Sequence, residues 1–238
     1  MIRAGLDLGR GRTGDGTLGV LVVLLLVLGA CGRLAAPAGT PLTAEELHDL
    51  GLAYYARGDH AAAARAFRRA ALLRPDWARP LVNLGDALLG AADVDGAIEA
   101  YERARAVEPD EPAILNNLAW ALLQHERRFG EAEPLIQRAL SRDPTPRGYY
   151  LDTLGFLLLK RGKPEPALEA FRAALRDPGV RDRRTRVLVL GHAAEALARL
   201  GDLEGTEACE RAAQALGRGT GPPAALAPDD VGASEIVC

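Results

Sequence analysis

The chain has 238 residues, of which 48% are hydrophobic and 26% charged, values that are ordinary for a globular protein. Its formal net charge is -3, so the chain has no basic field that would attract nucleic-acid phosphates. Aromatic residues make up only 5% of a sequence rich in Ala and Leu, which favours packed helices over sheets. The composition predicts an all-α protein that does not bind nucleic acid.

An apolar run near the amino terminus, Leu18 to Ala30, follows Arg3, Arg10 and Arg12. Positive residues before a short apolar core are typical of a secretory signal peptide. The run is shorter than the roughly 20 apolar residues that a transmembrane helix needs. The sequence therefore predicts a signal peptide over residues 1–30.

The apolar run ends in Leu28-Gly29-Ala30-Cys31, which resembles the bacterial lipobox. The resemblance implies cleavage before Cys31, a diacylglyceryl group on its sulfur and a further acyl chain, such as palmitate, on its new amino group. Several acyl chains anchor a protein durably where one is marginal. Gly32 replaces the Asp that the family associates with inner-membrane retention, which indicates the outer membrane and the periplasm. A plain signal peptide with an incidental Cys31, or an uncleaved anchor, is the alternative.

The next segment, residues 31–43, consists mainly of small residues and proline, and we interpret it as a lipidated cysteine followed by a flexible tether. Thr43 and Glu46 then have the spacing of a capping box, in which each side chain bonds the backbone of the other residue. The first helix is predicted to begin at this point.

A unit of about 34 residues recurs from residue 44 onward. Residues 78–111 show it most regularly, with apolar and small residues on one face of each of two helices. These residues are Leu81, Leu84, Gly85 and Leu88, then Ala97, Tyr101 and Ala104. The spacing and residue types resemble the tetratricopeptide (TPR) repeat, a helix-turn-helix unit whose two helices are called A and B.

Residues 44–77, 112–146 and 148–181 repeat this pattern, and a fifth pair of helices follows. In the second helix of this fifth pair, Thr206 and Glu210 occupy positions that are apolar in the other units, as expected of a terminal capping helix. The TPR resemblance implies a right-handed solenoid of four clear repeats and a degenerate fifth capping pair over residues 44–216. Small residues stand where A and B helices cross, at Gly51, Ala63, Gly85, Ala97, Ala119, Ala132, Gly155 and Ala167. Residues 217–238, rich in Gly, Pro and Ala, are predicted to be a disordered tail.

The resemblance also implies a concave surface lined by the A helices. It places partner-contacting side chains at Tyr55, Val82, Leu89, Asn116, Trp120, Leu123, Tyr149, Asp152, Phe156 and Leu159. Aromatic anchors among leucines would form an apolar groove for an extended or helical peptide. The alternative is that these side chains pack between successive A helices or against the tail of the chain.

Candidate catalytic and metal-binding residues are sparse. The four histidines fall in different units, and neither GxSxG nor HExxH occurs. The cysteines at 31, 209 and 238 form no metal-binding cluster, and Cys209 is interpreted as a packing residue, with a disulfide to Cys238 as the alternative. We therefore predict no enzyme activity, no cofactor and no metal. Arg181, Arg183, Arg184 and Arg186 form one basic cluster, which is typical of a solvated loop but could contact an acidic partner or lipid headgroups.

Together these features predict a non-catalytic adaptor or assembly scaffold, lipid-anchored in the bacterial envelope, that binds a protein or peptide through the groove. It resembles TPR lipoproteins that serve pilus, secretion, outer-membrane or polysaccharide-export machinery. Two alternatives remain: a regulatory or presenting subunit for an envelope enzyme such as a peptidoglycan hydrolase, and a self-associating structural scaffold.

Overall fold

The computed structural model describes residues 41–125, 128–142 and 147–218. From Leu42 onward the described residues belong to one compact unit, and they contain α-helices and one short 3-10 helix but no strand. Within these ranges no helix is both long and apolar enough to cross a bilayer. The predicted signal peptide, the lipidated Cys31 and the tail beyond residue 218 lie outside the described residues.

The helices follow one another as five antiparallel hairpins, so the predicted all-α fold of four repeats and a fifth pair is confirmed. In chain order they are α1 (Ala44–Ala56), α2 (His60–Leu73), α3 (Ala78–Gly90), α4 (Val94–Val107), α5 (Pro112–Gln124), α6 (Ala132–Arg142), α7 (Arg147–Lys160), α8 (Pro164–Arg176), α9 (Arg183–Leu200) and α10 (Leu203–Gly217). The odd-numbered helices are the A helices and the even-numbered ones are the B helices.

Side-chain caps fix where several helices begin. The predicted capping box is present at α1, where the Thr43 hydroxyl accepts from the Glu46 amide at 3.1 Å and the Glu46 carboxylate accepts from the Thr43 amide at 2.8 Å. Asp59, Asp93 and Asp202 cap α2, α4 and α10 in the same way, each accepting from a backbone amide of the first turn. In these three hairpins the aspartate of the turn therefore fixes the start of the B helix.

Close packing of A against B helices explains the small residues of the repeat. A Cβ added to an A-helix glycine would lie 2.5 Å from a ring carbon of the B helix in the same hairpin, closer than a Cβ can normally approach. The three pairs are Gly51 with Phe67, Gly85 with Tyr101, and Gly155 with Phe171. The signature alanines are each 0% exposed: Ala63, Ala97, Ala119, Ala132 and Ala167. These positions shape the core and leave no surface for a ligand.

The third hairpin departs from the others at the turn before α6. A 3-10 helix, Phe129–Glu131, leads into α6, so Pro134 falls in the first helical turn, where its missing N–H is tolerated. Arg128 donates to Glu131 and Glu102, both at 2.9 Å, and these bonds raise the pKa of its guanidinium and tie the turn to α4. α6 is short, and a cavity of about 440 Å³ lies between it, α4 and α5.

The fifth hairpin ends the array. On α10 Cys209 is fully buried, whereas Glu210 is exposed, in keeping with the polar face predicted for a capping helix. Cys209 takes part in a disulfide. Cys238, its partner in the alternative interpretation, lies outside the described part of the chain, so that pairing stays an alternative.

The A helices form the inner layer of this unit. Among the described residues, α3 packs on α5, α5 on α7, and α7 on α9, whereas consecutive B helices approach one another less closely. Because the A helices lie closer together than the B helices, the array curves toward the side of the A helices. The exposed face of the A helices is therefore the concave face, and this name is used for it below.

Candidate partner-binding face

All ten predicted groove residues lie on A helices, but four of them are buried, namely Asn116, Leu123, Asp152 and Leu159. Leu123 and Leu159 are each 1% exposed, so their prediction as partner contacts is wrong. Leu123 belongs to the same core cluster as Leu157 of α7, and Leu159 packs with Val189 of α9. Each of these two leucines is covered because the following A helix lies over it.

The concave face presents apolar side chains at both ends. Tyr55 is 41% exposed and Leu52 44% exposed on α1, while Tyr149 on α7 and Leu188 on α9 are 37% and 47% exposed. Between them lie half-buried side chains, namely Val82, Leu89, Trp120 and Phe156. Leu188 was not predicted, although it occupies in the fifth unit the position that Tyr149 occupies in the fourth.

Two of the predicted aromatic anchors, Trp120 and Phe156, form a cluster with His192 across three A helices. The rings of Trp120 and Phe156 lie 5.1 Å apart, and His192 of α9 lies 5.8 Å from Trp120 and 5.0 Å from Phe156. Lys160 lies 5.4 Å from the Phe156 ring, in cation–π range. These side chains therefore pack between successive A helices, as in the alternative interpretation, while Trp120 and Phe156 keep part of their surface exposed.

Asp152 is held by the same cluster. Its carboxylate lies 2.8 Å from the His192 Nδ1, and the two residues are only 6% and 9% exposed. Asp152 is therefore a buried partner of His192 that joins α7 to α9, and its prediction as a groove contact is wrong. No signal in the sequence indicated this pair, whose members are 40 residues apart in the chain.

Asn116, on α5, differs from every other predicted contact. The residue is 8% exposed, and its Oδ1 atom is buried without a hydrogen-bond partner in the described structure. A buried acceptor left unpaired costs roughly 1–3 kcal/mol, and such groups are rare in folded proteins. A ligand that donates an N–H to Asn116 would remove that cost.

The pKa of Tyr55, in the first hairpin, depends on a charge in the fifth hairpin. Burial raises the pKa of Tyr55, the nearby Asp86 carboxylate raises it further, and Arg184 lowers it. Asp86 itself accepts a 2.5 Å hydrogen bond from Tyr101, and burial raises the pKa of its carboxyl group. Arg184 lies in the first turn of α9 and Tyr55 in the last turn of α1, so the concave face brings the first and fifth hairpins within electrostatic range.

The first two A helices are joined by a histidine. The Asn83 side-chain amide lies 2.8 Å from His48 Nε2, while the His48 ring packs 4.9 Å from Trp77 and 5.6 Å from Phe67. Burial lowers the pKa of His48, the neighbouring Asp49 carboxylate partly offsets this, and Arg79 lowers it further. The hydrogen bond between Asn83 and His48 therefore joins α3 to α1 through their side chains.

Lowering the pH is expected to destabilise the protein through His48. A histidine whose pKa is lower in the folded than in the unfolded chain stabilises the fold above the unfolded value of about 6.5. That stabilisation is lost as the pH falls through the lowered folded pKa. We expect His48→Gln to show a smaller loss of unfolding free energy than the wild type between pH 7 and 5, measured by urea unfolding; equal losses would exclude His48 as the source.

No group of three or more His, Cys, Asp or Glu residues in the described ranges is arranged to bind a metal ion. The face described above thus offers apolar contacts and a few charges, and one unpaired amide oxygen is buried beneath it. Surfaces of this kind bind peptides by shape and hydrogen bonding.

Comparison with known proteins identifies the repeat. Residues 44–77 and 82–146 match family models of the tetratricopeptide repeat. This chain is a TPR-repeat protein. TPR repeats generally mediate binding to protein partners, and the fold is generally non-catalytic. No curated protein matches the chain.

Solved structures share the TPR fold of this protein. A chain of the APC/C hetero-tetramer Cut9-Hcn1 is 15% identical with a TM-score of 0.67, over 84% of this chain and 37% of that one. The present chain therefore matches only about a third of the length of that chain. TTC0263, a thermophilic TPR protein of Thermus thermophilus, is 21% identical with a TM-score of 0.63, over 73% of this chain and 91% of the other. The pilF protein of Pseudomonas aeruginosa is 26% identical with a TM-score of 0.57, over 75% and 77% of the two chains.

Proposed function

We propose that this TPR protein is a non-catalytic adaptor that binds a peptide segment of a protein partner along its concave face. The observation that carries the proposal is the row of exposed and half-exposed apolar side chains on the A helices, which runs from Leu52 and Tyr55 to Tyr149 and Leu188. Apolar side chains gathered on one face, rather than scattered singly, mark interaction sites.

The centre of the face suits a peptide backbone. The unpaired Oδ1 of Asn116 lies beneath this face with almost no solvent-exposed surface, and it becomes an acceptor for a backbone N–H when the side chains that cover it move aside. Trp120, one turn further along α5, and Phe156 of α7 offer exposed aromatic surface for a side chain. Half-buried aromatic residues at the centre of an apolar face have the character of binding hot spots. A peptide lying across α5 and α7 would use both.

Substitution of an exposed concave leucine tests the proposal. Leu188→Glu places a charge on the concave face at a side chain that is 47% exposed, so the fold should tolerate it. We expect the partner recovered by cross-linked pulldown from the native cell to be lost. Leu72→Glu is the matched control, because Leu72 is 67% exposed on the B helix α2. Loss of the partner with Leu72→Glu and its retention with Leu188→Glu would place the interface on the face formed by the B helices.

We also propose that the adaptor is anchored to the bacterial envelope by lipid on Cys31, at the outer membrane and facing the periplasm. The support is the Leu28-Gly29-Ala30-Cys31 motif that follows the apolar run. We expect Cys31→Ser to abolish incorporation of labelled fatty acid and partitioning into detergent, while Cys238→Ser labels as the wild type does. Full labelling of Cys31→Ser would rule out this anchor.

A further inference from the structure

The start of α9 carries an excess of positive charge, because the four arginines at 181, 183, 184 and 186 outnumber the two nearby carboxylates, Asp177 and Asp182. Arg181 and Arg184 are exposed and Arg186 is half-buried, and none of the three forms an ion pair with a carboxylate of the described residues. Arg186 donates to the carbonyl oxygen of Leu175 at 3.2 Å, and its Nε is buried without a partner in the same part of the structure. These three residues are called the arginine surface.

The helix itself adds to this charge. The first turn of α9 contains no acidic residue, and the amino-terminal end of a helix carries a partial positive charge. The neighbouring carboxylate, Asp182, is already engaged, because it accepts from the Thr185 amide at 2.8 Å and from the Tyr149 hydroxyl at 3.0 Å. Burial raises its pKa, but these hydrogen bonds outweigh burial and lower it. The arginine surface therefore attracts an anionic group from elsewhere.

The tail of the chain begins close to this surface. α10 folds back along α9 from the turn at Gly201, and its 15 residues extend about 22 Å, against about 27 Å for the 18 residues of α9. The end of α10 at Gly217 therefore lies beside the first turns of α9, at an interhelical distance of about 8–10 Å. The chain continues from that point for residues 219–238.

The charge and length of residues 219–238 match the arginine surface. The segment contains Asp229, Asp230 and Glu235 and no Lys or Arg. Asp229 follows Gly217 by about a dozen residues, and a flexible chain of that length spans about 17–21 Å. That span exceeds the distance from the end of α10 to the start of α9. Because the segment is part of the same chain, its local concentration near the arginine surface is on the order of millimolar.

We infer that residues 219–238 dock on the arginine surface, with Asp229 and Asp230 opposite Arg181 and Arg184. Arg184 acts electrostatically on Tyr55, so the docked segment lies at the edge of the concave face where α9 and α1 oppose each other. The inference concerns contacts within one chain and does not require that the concave face bind a partner.

Photo-cross-linking of the full chain in detergent tests the inference. With benzoyl-phenylalanine at position 231, next to Asp230, we expect the monomer to contain cross-links to residues 181–188 or to α1, identified by mass spectrometry. The double substitution Arg181→Glu and Arg184→Glu should reduce these cross-links at least five-fold, as should Asp229→Arg with Asp230→Arg. Combining both pairs should restore them, because the charges are exchanged.

Three controls separate docking from other effects. Arg211→Glu changes an exposed arginine of α10, nearer the start of the segment, and should leave the cross-links unchanged. The substitutions at 229 and 230 lie outside the described helices, so they test the contact without changing any residue of the array. Sodium chloride at about 1 M should weaken the cross-links, because it screens exposed charges beyond about 3 Å. Cross-links that survive either charge reversal, that fall elsewhere in the chain, or that occur only between two copies would overturn the inference.

Discussion

Replacing Phe171 with alanine is expected to lower the free energy of unfolding by roughly 3–5 kcal/mol, the usual cost of deleting a buried aromatic ring. Phe171 is 0% exposed. One edge of its ring lies where a Cβ on Gly155 would be, and the ring lies 5.6 Å from His192. The substitution therefore opens a cavity that touches α7, α8 and α9 together. Urea unfolding followed by circular dichroism measures the change.

Phe129→Ala is the matched control for this prediction. Phe129 is 36% exposed in the turn before α6, so its replacement should change the free energy by about 0.5 kcal/mol or less. Equal losses for Phe171→Ala and Phe129→Ala would show that the glycine–aromatic crossings are not what holds each hairpin together.

Asn116→Leu is expected to change stability and partner binding in opposite directions. Leu has a similar volume and removes a buried oxygen that has no partner in the described structure, so we expect a gain of about 1 kcal/mol in the free energy of unfolding. If that oxygen accepts an N–H from the bound peptide, Leu leaves the donor unpaired in the complex. A penalty of about 1–3 kcal/mol corresponds to an affinity roughly 10-fold to 100-fold weaker.

The opposite signs separate a binding residue from a structural one. A structural Asn116 would lose stability on replacement, and any loss of binding would follow from the weakened fold. Leu123→Met is a suitable control, because it exchanges one buried apolar side chain of α5 for another of similar size. Unfolding curves give the free energy of unfolding. Titration of each variant with the partner that cross-linking identified gives the affinity. Lower stability together with unchanged affinity for Asn116→Leu would remove Asn116 from the binding face.

The fold could be predicted from the sequence because the repeat depends on local rules. The spacing of Gly85 and Tyr101 places a glycine opposite a ring within one hairpin, and Thr43 with Glu46 defines the first helix start. Such pairs lie within one repeat, so periodicity alone identifies them.

The binding face could be predicted only in part, because exposure depends on the next repeat. Position in the repeat placed Leu123 and Leu159 on A helices, but not under the following A helix, which buries them. The pair of Asp152 and His192 joins two hairpins, and the effect of Arg184 on Tyr55 depends on the curvature of the whole array. No local pattern contains that information.

Position-specific photo-cross-linking in the native cell tests the proposed adaptor function most directly. With benzoyl-phenylalanine at Leu52 or Leu188 on the concave face, we expect both positions to capture one and the same protein. The same probe at Leu72 on α2 should not capture it, although Leu72 is the most exposed of the three side chains. Capture of that protein from Leu72, with none from Leu52 or Leu188, would contradict binding along the concave face.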